Sequence, residues 1–310
     1  MIKKTLYFGN PAYLSLHLGQ LVIKLPEVEK SNMPQEVKSK TIRAIPIEDI
    51  GIVVLDNKQI TITEGTISTL LENEVALITC NDNRMPIGML LPLMGNKVYN
   101  EKFRQQLECS LPLRKQLWQQ TIKAKIENQA NCLKKNTSMS IKPLTVMAQK
   151  VKSGDIDNCE AQAAVYYWKN IFPEIPDFIR DRNGYAPNNL LNYGYAILRS
   201  VVARNLVISG LLPIYGIHHH NKYNAYCLAD DIMEPYRPFV DDMVISIMNQ
   251  QSQYQEINMD IKRTLLSIPT LDVFIDGKRS PLMVAVGITT ASLSKCFKGE
   301  LRKIIYPEFI

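Results

Sequence analysis

Met85-Pro86-Ile87-Gly88-Met89-Leu90-Leu91-Pro92-Leu93-Met94-Gly95-Asn96 is where the character of the chain changes. Before it, short runs rich in Ile, Val and Thr alternate with turn residues. Tyr13-Leu14-Ser15-Leu16-His17 and Gln20-Leu21-Val22-Ile23-Lys24 flank Leu18-Gly19, which reads as a tight hairpin. Thr41 to Ile45, Gly51 to Leu55, Gln59 to Ile62 and Val75 to Cys80 read as further strands, with turn chemistry at Asp56-Asn57-Lys58 and Asn81-Asp82-Asn83. Only Thr66 to Leu71 reads as a short helix in this half.

After the change, helical periodicity takes over. Leu113 to Lys135 has no Gly or Pro and sets Leu117, Ile122, Ile126 and Leu133 among polar residues, the pattern of an amphipathic helix. Ala161 to Phe172 carries Ala164, Tyr167, Trp168 and Ile171 on one stripe. Pro187-Asn188 starts a long helix that runs to about Ser209 and stops at Gly210. Met243 to Met248 continues the pattern. The expected fold class is therefore α+β: a small β-sandwich or meander over 1–85, a linker over 86–96 and an all-α domain over 97–310.

The 310 residues are 46% hydrophobic and 21% charged, which excludes intrinsic disorder, collagen-like repeats and disulfide-dense miniature folds. Lys+Arg number 36 against 30 Asp+Glu, a mild basic excess that permits a polyanionic partner without demanding one. The cysteines, Cys80, Cys109, Cys132, Cys159, Cys227 and Cys296, form no CxxC pair, so a finger-type zinc site is not expected. Scattered single thiols suit a reducing cytoplasm. The first ten residues hold Lys3 and Lys4 but no apolar run of signal-peptide length, and Ala196 to Ile217 is interrupted by Arg199, Arg204 and Asn205. A cytoplasmic protein without a membrane span is the expectation.

Three chemical features stand out. His218-His219-His220 follow Gly216-Ile217, and an acidic run comes soon after: Asp230, Asp231, Glu234, Asp241 and Asp242. Asp231 and Glu234, three apart, would share a helix face. Imidazole with carboxylates suits a divalent cation of the manganese or magnesium type. A solvated polar loop and an acidic helix start explain the same letters without a metal. Glu160 opens a helix and is followed by small residues, which suits either dipole compensation or room for a bulky ligand. Finally, Lys102, Arg104, Arg114, Lys115, Lys123, Lys125, Lys134 and Lys135 oppose only Glu108 and Glu127, and Lys295, Lys298, Arg302 and Lys303 oppose Glu300. Such clusters are either solvated helix faces or a track for phosphates.

Four motifs occur in order: Glu160 with Tyr166-Tyr167-Trp168, Asn188-Asn189-Leu190-Leu191-Asn192-Tyr193-Gly194-Tyr195, Gly216-Ile217-His218-His219, and Leu228-Ala229-Asp230-Asp231-Ile232-Met233-Glu234-Pro235-Tyr236-Arg237-Pro238. In this order, and with a β-then-α layout, the chain resembles the CRISPR-associated integrase family (CRISPR-associated protein one), the type II versions most closely. The resemblance implies that Glu160, His219 and Glu234 bind one magnesium or manganese ion, with Asp231 as a supporting catalytic carboxylate. His219 is singled out because the family's histidine lies fifteen positions before the second glutamate. Ala161 stands where family members often have Gly.

The implied reaction is a metal-dependent transesterification in which a spacer DNA 3′-hydroxyl attacks a phosphodiester of the repeat. The implied partners are double-stranded DNA with single-stranded 3′ ends, CRISPR repeat DNA, a second copy of this chain through the β domain, and CRISPR-associated protein two. Arg84, Arg104, Arg182, Arg204 and Arg237 are candidate DNA contacts, Arg237 alternatively an ion-pair partner of the acidic cluster. Two other readings compete: a catalytically silent DNA-binding module of the same fold, and a metal-dependent phosphohydrolase of small esters, which leaves the basic stretch unexplained.

Overall fold

In the computed structural model of the chain, residues 3–93, 99–251 and 253–309 are described. They separate into two compact units, Met1–Gly95 and Asn96–Ile310. The chain mixes helix and sheet throughout.

In the first unit the strands are β1 (Lys4–Phe8), β2 (Tyr13–His17), β3 (Gln20–Lys24), β4 (Arg43–Pro46), β5 (Ile50–Leu55), β6 (Thr61–Ile62), β7 (Ala76–Cys80) and β8 (Pro86–Leu90). Three helices join them: α1 (Pro26–Glu29), α2 (Gln35–Thr41) and α3 (Glu64–Glu72). The strands make two four-stranded sheets, ordered β1-β5-β7-β8 and β4-β3-β2-β6. Leu18 and Gly19 turn the β2–β3 hairpin with positive φ, and His17 pairs Gln20. Leu14 and Leu21 from one sheet, Ile50, Val53 and Leu77 from the other, and Leu70 of α3 pack into one apolar cluster. Each such buried side chain contributes roughly 1.5–3 kcal/mol.

The topology is not a simple meander. β5 pairs in parallel with both β1 and β7, and α3 is the crossover between β5 and β7. The reason is legible in Ile50-Gly51-Ile52-Val53-Val54, an unbroken apolar run that is buried throughout, as a central parallel strand requires. Two expectations are corrected. Thr41 closes α2, so the strand begins at Arg43. Pro86–Leu90, expected to open a linker, is a strand that pairs antiparallel with β7; it sits at the sheet edge, where a leading Pro costs no ladder bond. Met94-Gly95-Asn96, the end of the expected linker, lie outside the described residues.

The second unit contains α4 (Tyr99–Leu107), α5 (Leu111–Asn136), α6 (Lys142–Lys150), α7 (Cys159–Ile171), α8 (Asn188–Ile208), α9 (Cys227–Met233), α10 (Arg237–Gln250), α11 (Met259–Leu266) and α12 (Leu282–Lys298). It is not all-α. Strands β9 (Asp272–Ile275) and β10 (Lys278–Pro281) form a hairpin around Asp276-Gly277, both at positive φ. The 26-residue α5 is the spine, capped by Ser110, whose Oγ accepts from the Leu113 amide, and it packs against α6, α7 and α10. α8 is buried on nearly every side from Ser200 to Val207.

The last residues lie along α5. The Asn128 side chain donates to the carbonyls of Pro235 (2.7 Å) and Pro307 (2.9 Å) and accepts from the Phe309 amide. One buried amide thus ties the spine to the turn after α9 and to the chain end. Among the described residues no helix is long and apolar enough to cross a membrane.

Candidate functional site

Four segments of the second unit meet beside the middle of α5. Glu160 is in the first turn of α7, and its position is fixed from outside the helix. Asp155, buried and at positive φ, accepts from the amides of Cys159 and Glu160, each at 2.9 Å. It caps α7 in place of Asn158, whose own side chain makes no cap. Glu234 opens a single 3₁₀ turn, Glu234–Tyr236, which Pro235 forces after α9 ends at Met233.

The two glutamates share one cation. Lys125 Nζ of α5 lies 2.7 Å from Glu160 Oε1 and 2.7 Å from Glu234 Oε2. Its ammonium is buried, as is Glu234. Arg237 Nη2 reaches the other Glu234 oxygen at 3.0 Å while its guanidinium stacks on Tyr195, 4.8 Å from the ring centre. Burial alone would push the Glu234 carboxyl up, but Arg237 and Lys125 outweigh it and hold the group below the ordinary carboxylate value. Burial likewise pulls Lys125 down, and Glu234 and Glu160 together more than reverse it. Glu234 Oε2 has no aligned hydrogen-bond donor although the ammonium is near, so that contact is ionic and undirected.

His219 is presented by a loop that Asp231 organises. The Asp231 carboxylate, fully buried in α9, accepts from the amides of Ile217 (2.7 Å), His218 (3.0 Å) and His219 (3.3 Å), and from His219 Nδ1 at 2.5 Å. Gly216 permits this, because a Cβ there would collide with the His219 carbonyl and the Asp231 carboxylate. With Nδ1 engaged, Nε2 is the free nitrogen of a half-exposed ring, the arrangement carboxylate-oriented metal histidines use. The Asp231 hydrogen bond raises the His219 pKa, with Glu234 and Glu160 adding to it. His218 instead stacks on Trp118, rings 4.1 Å apart and parallel, and burial lowers its pKa.

The expected residues therefore divide. Glu160 and Glu234 come together on Lys125, and His219 is near enough for both to act on its charge. Asp231 does not share Glu234's partner; it holds the histidine loop. As they stand, no group of three or more His, Cys, Asp or Glu side chains among the described residues is arranged to hold a metal ion. Lys125 occupies the position between the two glutamates. Even so the donor set suits a hard divalent cation: two carboxylates already gathered on one positive charge, an undirected buried oxygen and a free imidazole nitrogen.

Sequence reading gives no place at the site to Asp155 or Trp118, and enters Lys125 only in a basic stretch and Tyr195 only as the end of a motif. For Lys125 a signal existed: it lies between Ile122 and Ile126 on the face that also buries Thr121, Gln129 and Cys132. A lysine on a buried face needs a partner.

Among the arginines expected on DNA, Arg84 lies in the exposed turn between β7 and β8, Arg104 is on the exposed side of α4 and Arg182 in the exposed stretch before α8. Arg204 is corrected: it is 6% exposed within the run of α8 that is buried all round. Arg237 is likewise occupied inside the fold, by Glu234 and Tyr195. The basic stretch along α5 divides too, with Lys115, Lys123, Lys134 and Lys135 facing outward and Lys125 inward.

The family model described as CRISPR associated protein Cas1 matches residues 8–275. The CRISPR-associated endonuclease Cas1 of Neisseria meningitidis serogroup C (strain 8013) is 35% identical over 287 residues, covering 92% of this chain and 89% of that protein. Among solved structures, a casposase bound to integration product has the same fold with TM-score 0.77 at 19% identity, over 97% of this chain and 92% of that one. A Cas1 protein from Thermotoga maritima also gives TM-score 0.77, at 15% identity over 96% and 98%. The Cas1-containing chain of a Cas6-RT-Cas1–Cas2 complex gives 0.74, covering 97% of this chain and 36% of that chain. The chain belongs to the CRISPR-associated protein Cas1 family.

Proposed function

We propose that the chain is a divalent-metal-dependent DNA integrase of CRISPR adaptation, with Glu160, His219 and Glu234 as the metal ligands and magnesium or manganese as the ion. The observation that carries this is the meeting of Glu160 and Glu234 on one buried positive charge beside a histidine whose Nδ1 is already bound. The relatives named as Cas1 endonucleases and the casposase with its integration product support the class of reaction.

When bound, the ion would stabilise negative charge on the phosphorane and favour the alkoxide form of the attacking 3′-hydroxyl. The chain's own residues set the geometry. Asp155 fixes Glu160 from the start of α7, Arg237 fixes Glu234, and Asp231 fixes the tautomer and direction of His219. Holding reactants in line supplies much of the remaining acceleration. Lys115, Lys123, Lys134 and Lys135, exposed along α5, are suited to phosphate contacts, with Arg84, Arg104 and Arg182 as further candidates.

The partners follow the same reading: spacer precursor DNA with 3′ single-stranded ends, repeat DNA, a second copy of this chain and a CRISPR-associated protein two. The Cas6-RT-Cas1–Cas2 complex among the structural neighbours supports the last. An integration assay with the chain, that partner and manganese tests the assignment. Glu234→Ala and His219→Ala each lower strand transfer by about 10²–10³-fold or more while DNA binding survives. Strand transfer retained in either variant overturns the ligand assignment.

A further inference from the structure

We infer that Lys125 is a placeholder cation: a positioning residue that keeps Glu160 and Glu234 gathered before a divalent ion arrives and that the ion must displace from between them. The inference rests on the metal reading above and adds a residue and an order of events to it.

The geometry carries the argument. Lys125 Nζ lies at 2.7 Å from one oxygen of each glutamate, so those oxygens are at most about twice that distance apart and address a common point. That point is filled by an ammonium on a flexible four-carbon stem, the cationic group best able to withdraw along its own axis. The stem comes from the middle of a helix pinned at both ends and along its length, by the Ser110 cap, by Asn128 and by the Asn136 side chain, which donates to Asp242. The lysine backbone therefore stays in place while its head moves.

Charge balance explains why a placeholder is needed. Removing one partner from a buried ion cluster leaves an uncompensated charge, which costs more than the pair contributed. Without Lys125, Glu234 would keep Arg237 on one oxygen and Glu160 would lose the ionic partner it has among the described residues. Lys125 and Arg237 against Glu160 and Glu234 leave no net charge in the cluster. An incoming divalent ion must therefore either expel the ammonium or accept its repulsion at close range. Lys125 thus keeps the ligands assembled and at the same time weakens the metal site.

The sign of one substitution separates this role from a merely structural one. Removal of a residue that supports metal ligands weakens metal affinity, commonly 10–100-fold. Removal of a competing cation strengthens it.

The full chain is titrated with Mn²⁺, free ion being followed by electron paramagnetic resonance, for wild type, Lys125→Met, Lys125→Arg and Glu160→Gln. Lys125→Met binds Mn²⁺ at least about tenfold more tightly than wild type, the opposite of the supporting-residue effect. It melts at a lower temperature in EDTA, and Mn²⁺ restores the difference. Lys125→Arg, which keeps the charge, retains the wild-type melting temperature in EDTA and gains no affinity. Unchanged or weaker Mn²⁺ binding by a folded Lys125→Met overturns the inference. Should Lys125→Met not fold, the ¹⁵N-lysine ammonium spectrum of wild type decides: the Lys125 signal shifts or broadens on Mg²⁺ addition, and an unmoved signal at saturating Mg²⁺ overturns the placeholder alone. A wild type with no Glu160-dependent Mn²⁺ site overturns the metal reading itself, and the placeholder with it.

Discussion

Two buried carboxylates seven residues apart, Glu234 and Asp241, are compensated in opposite ways. Glu234 sits between cations, Lys125 at 2.7 Å and Arg237 at 3.0 Å, and is held ionised below the ordinary range. Asp241 on α10 sits between neutral hydroxyls: Tyr195 donates to Oδ1 at 2.5 Å and Tyr167 to Oδ2 at 2.9 Å. Burial pushes its carboxyl up to about 6, and the two tyrosine donors offset that only in part. Under the proposed metal reading, a carboxylate gathered by a lysine ammonium can exchange that charge for a metal ion. One wrapped in packed hydroxyls cannot, and it serves to join α7, α8 and α10.

The rest of the acidic run is equally divided. Asp230 is paired with Arg199 at 2.6 Å and with Asn224, Asp231 organises the histidine loop, and Asp242 meets Lys135 and Asn136 near the surface. Adjacent letters in the chain thus have five different electrostatic settings, and only one of them is suited to chemistry.

The largest effect that would sharpen this contrast comes from Asp231→Asn. The amides of Ile217 and His218 lose their charged acceptor and His219 loses its orienting partner, so Mn²⁺ affinity and strand transfer fall about 10–100-fold with the fold intact. Wild-type affinity in a folded Asp231→Asn would show that Asp231 does not position the histidine.

Asp241→Asn acts on stability and not on metal. The folded protein holds this carboxyl's proton up to about pH 6, whereas its ordinary value is 3.8, so the group lowers stability as pH rises through that interval. Glu234, depressed, acts in the other direction: its stabilisation is present above the ordinary carboxylate value and is lost as pH falls. Compared with wild type, Asp241→Asn therefore loses a decline of on the order of 1–3 kcal/mol between pH 4 and 7, read from urea unfolding at each pH. Identical pH slopes for the two proteins would remove the contrast.

The smallest effect belongs to the exposed end of the run. Lys135 is half exposed at Asp242, and Lys135→Ala changes unfolding free energy by less than about 1 kcal/mol. A loss of several kcal/mol would mean that the surface pair is structural.

Legibility in the sequence followed how local the determining physics is. The β2–β3 hairpin, the β5 run, α5, and α8 with its stop at Gly210 were readable because turn residues and periodicity lie within each segment. The β9–β10 hairpin carried the Asp276-Gly277 signal between Val273-Phe274-Ile275 and Lys278, yet the helical pattern around it masked two four-residue strands. Strand β8 was hidden by Pro86 and Gly88, residues that only an edge position accommodates. Parallel pairing of β5 is a long-range choice that no local pattern encodes.

The same division holds at the site. Glu160, His219 and Glu234 came from motif order, since each letter alone fits a solvated face. Lys125 was counted only as part of a basic stretch, because its burial depends on α7 and the turn after α9 packing against α5. Arg204 is misplaced on DNA for the matching reason, a guanidinium inside a helical bundle and one on its surface having the same sequence, whereas Arg237 takes the ion-pair alternative, on Glu234.

The central claim, that Glu160, Glu234 and His219 form one cation site now held by Lys125, is tested most directly by anomalous diffraction from crystals of the full chain soaked in Mn²⁺. The account predicts one peak within coordination distance of an oxygen of each glutamate and of His219 Nε2, with the Lys125 ammonium moved out from between them. Crystals saturated with Mn²⁺ that show no peak there, and Lys125 still bridging both carboxylates, would contradict it.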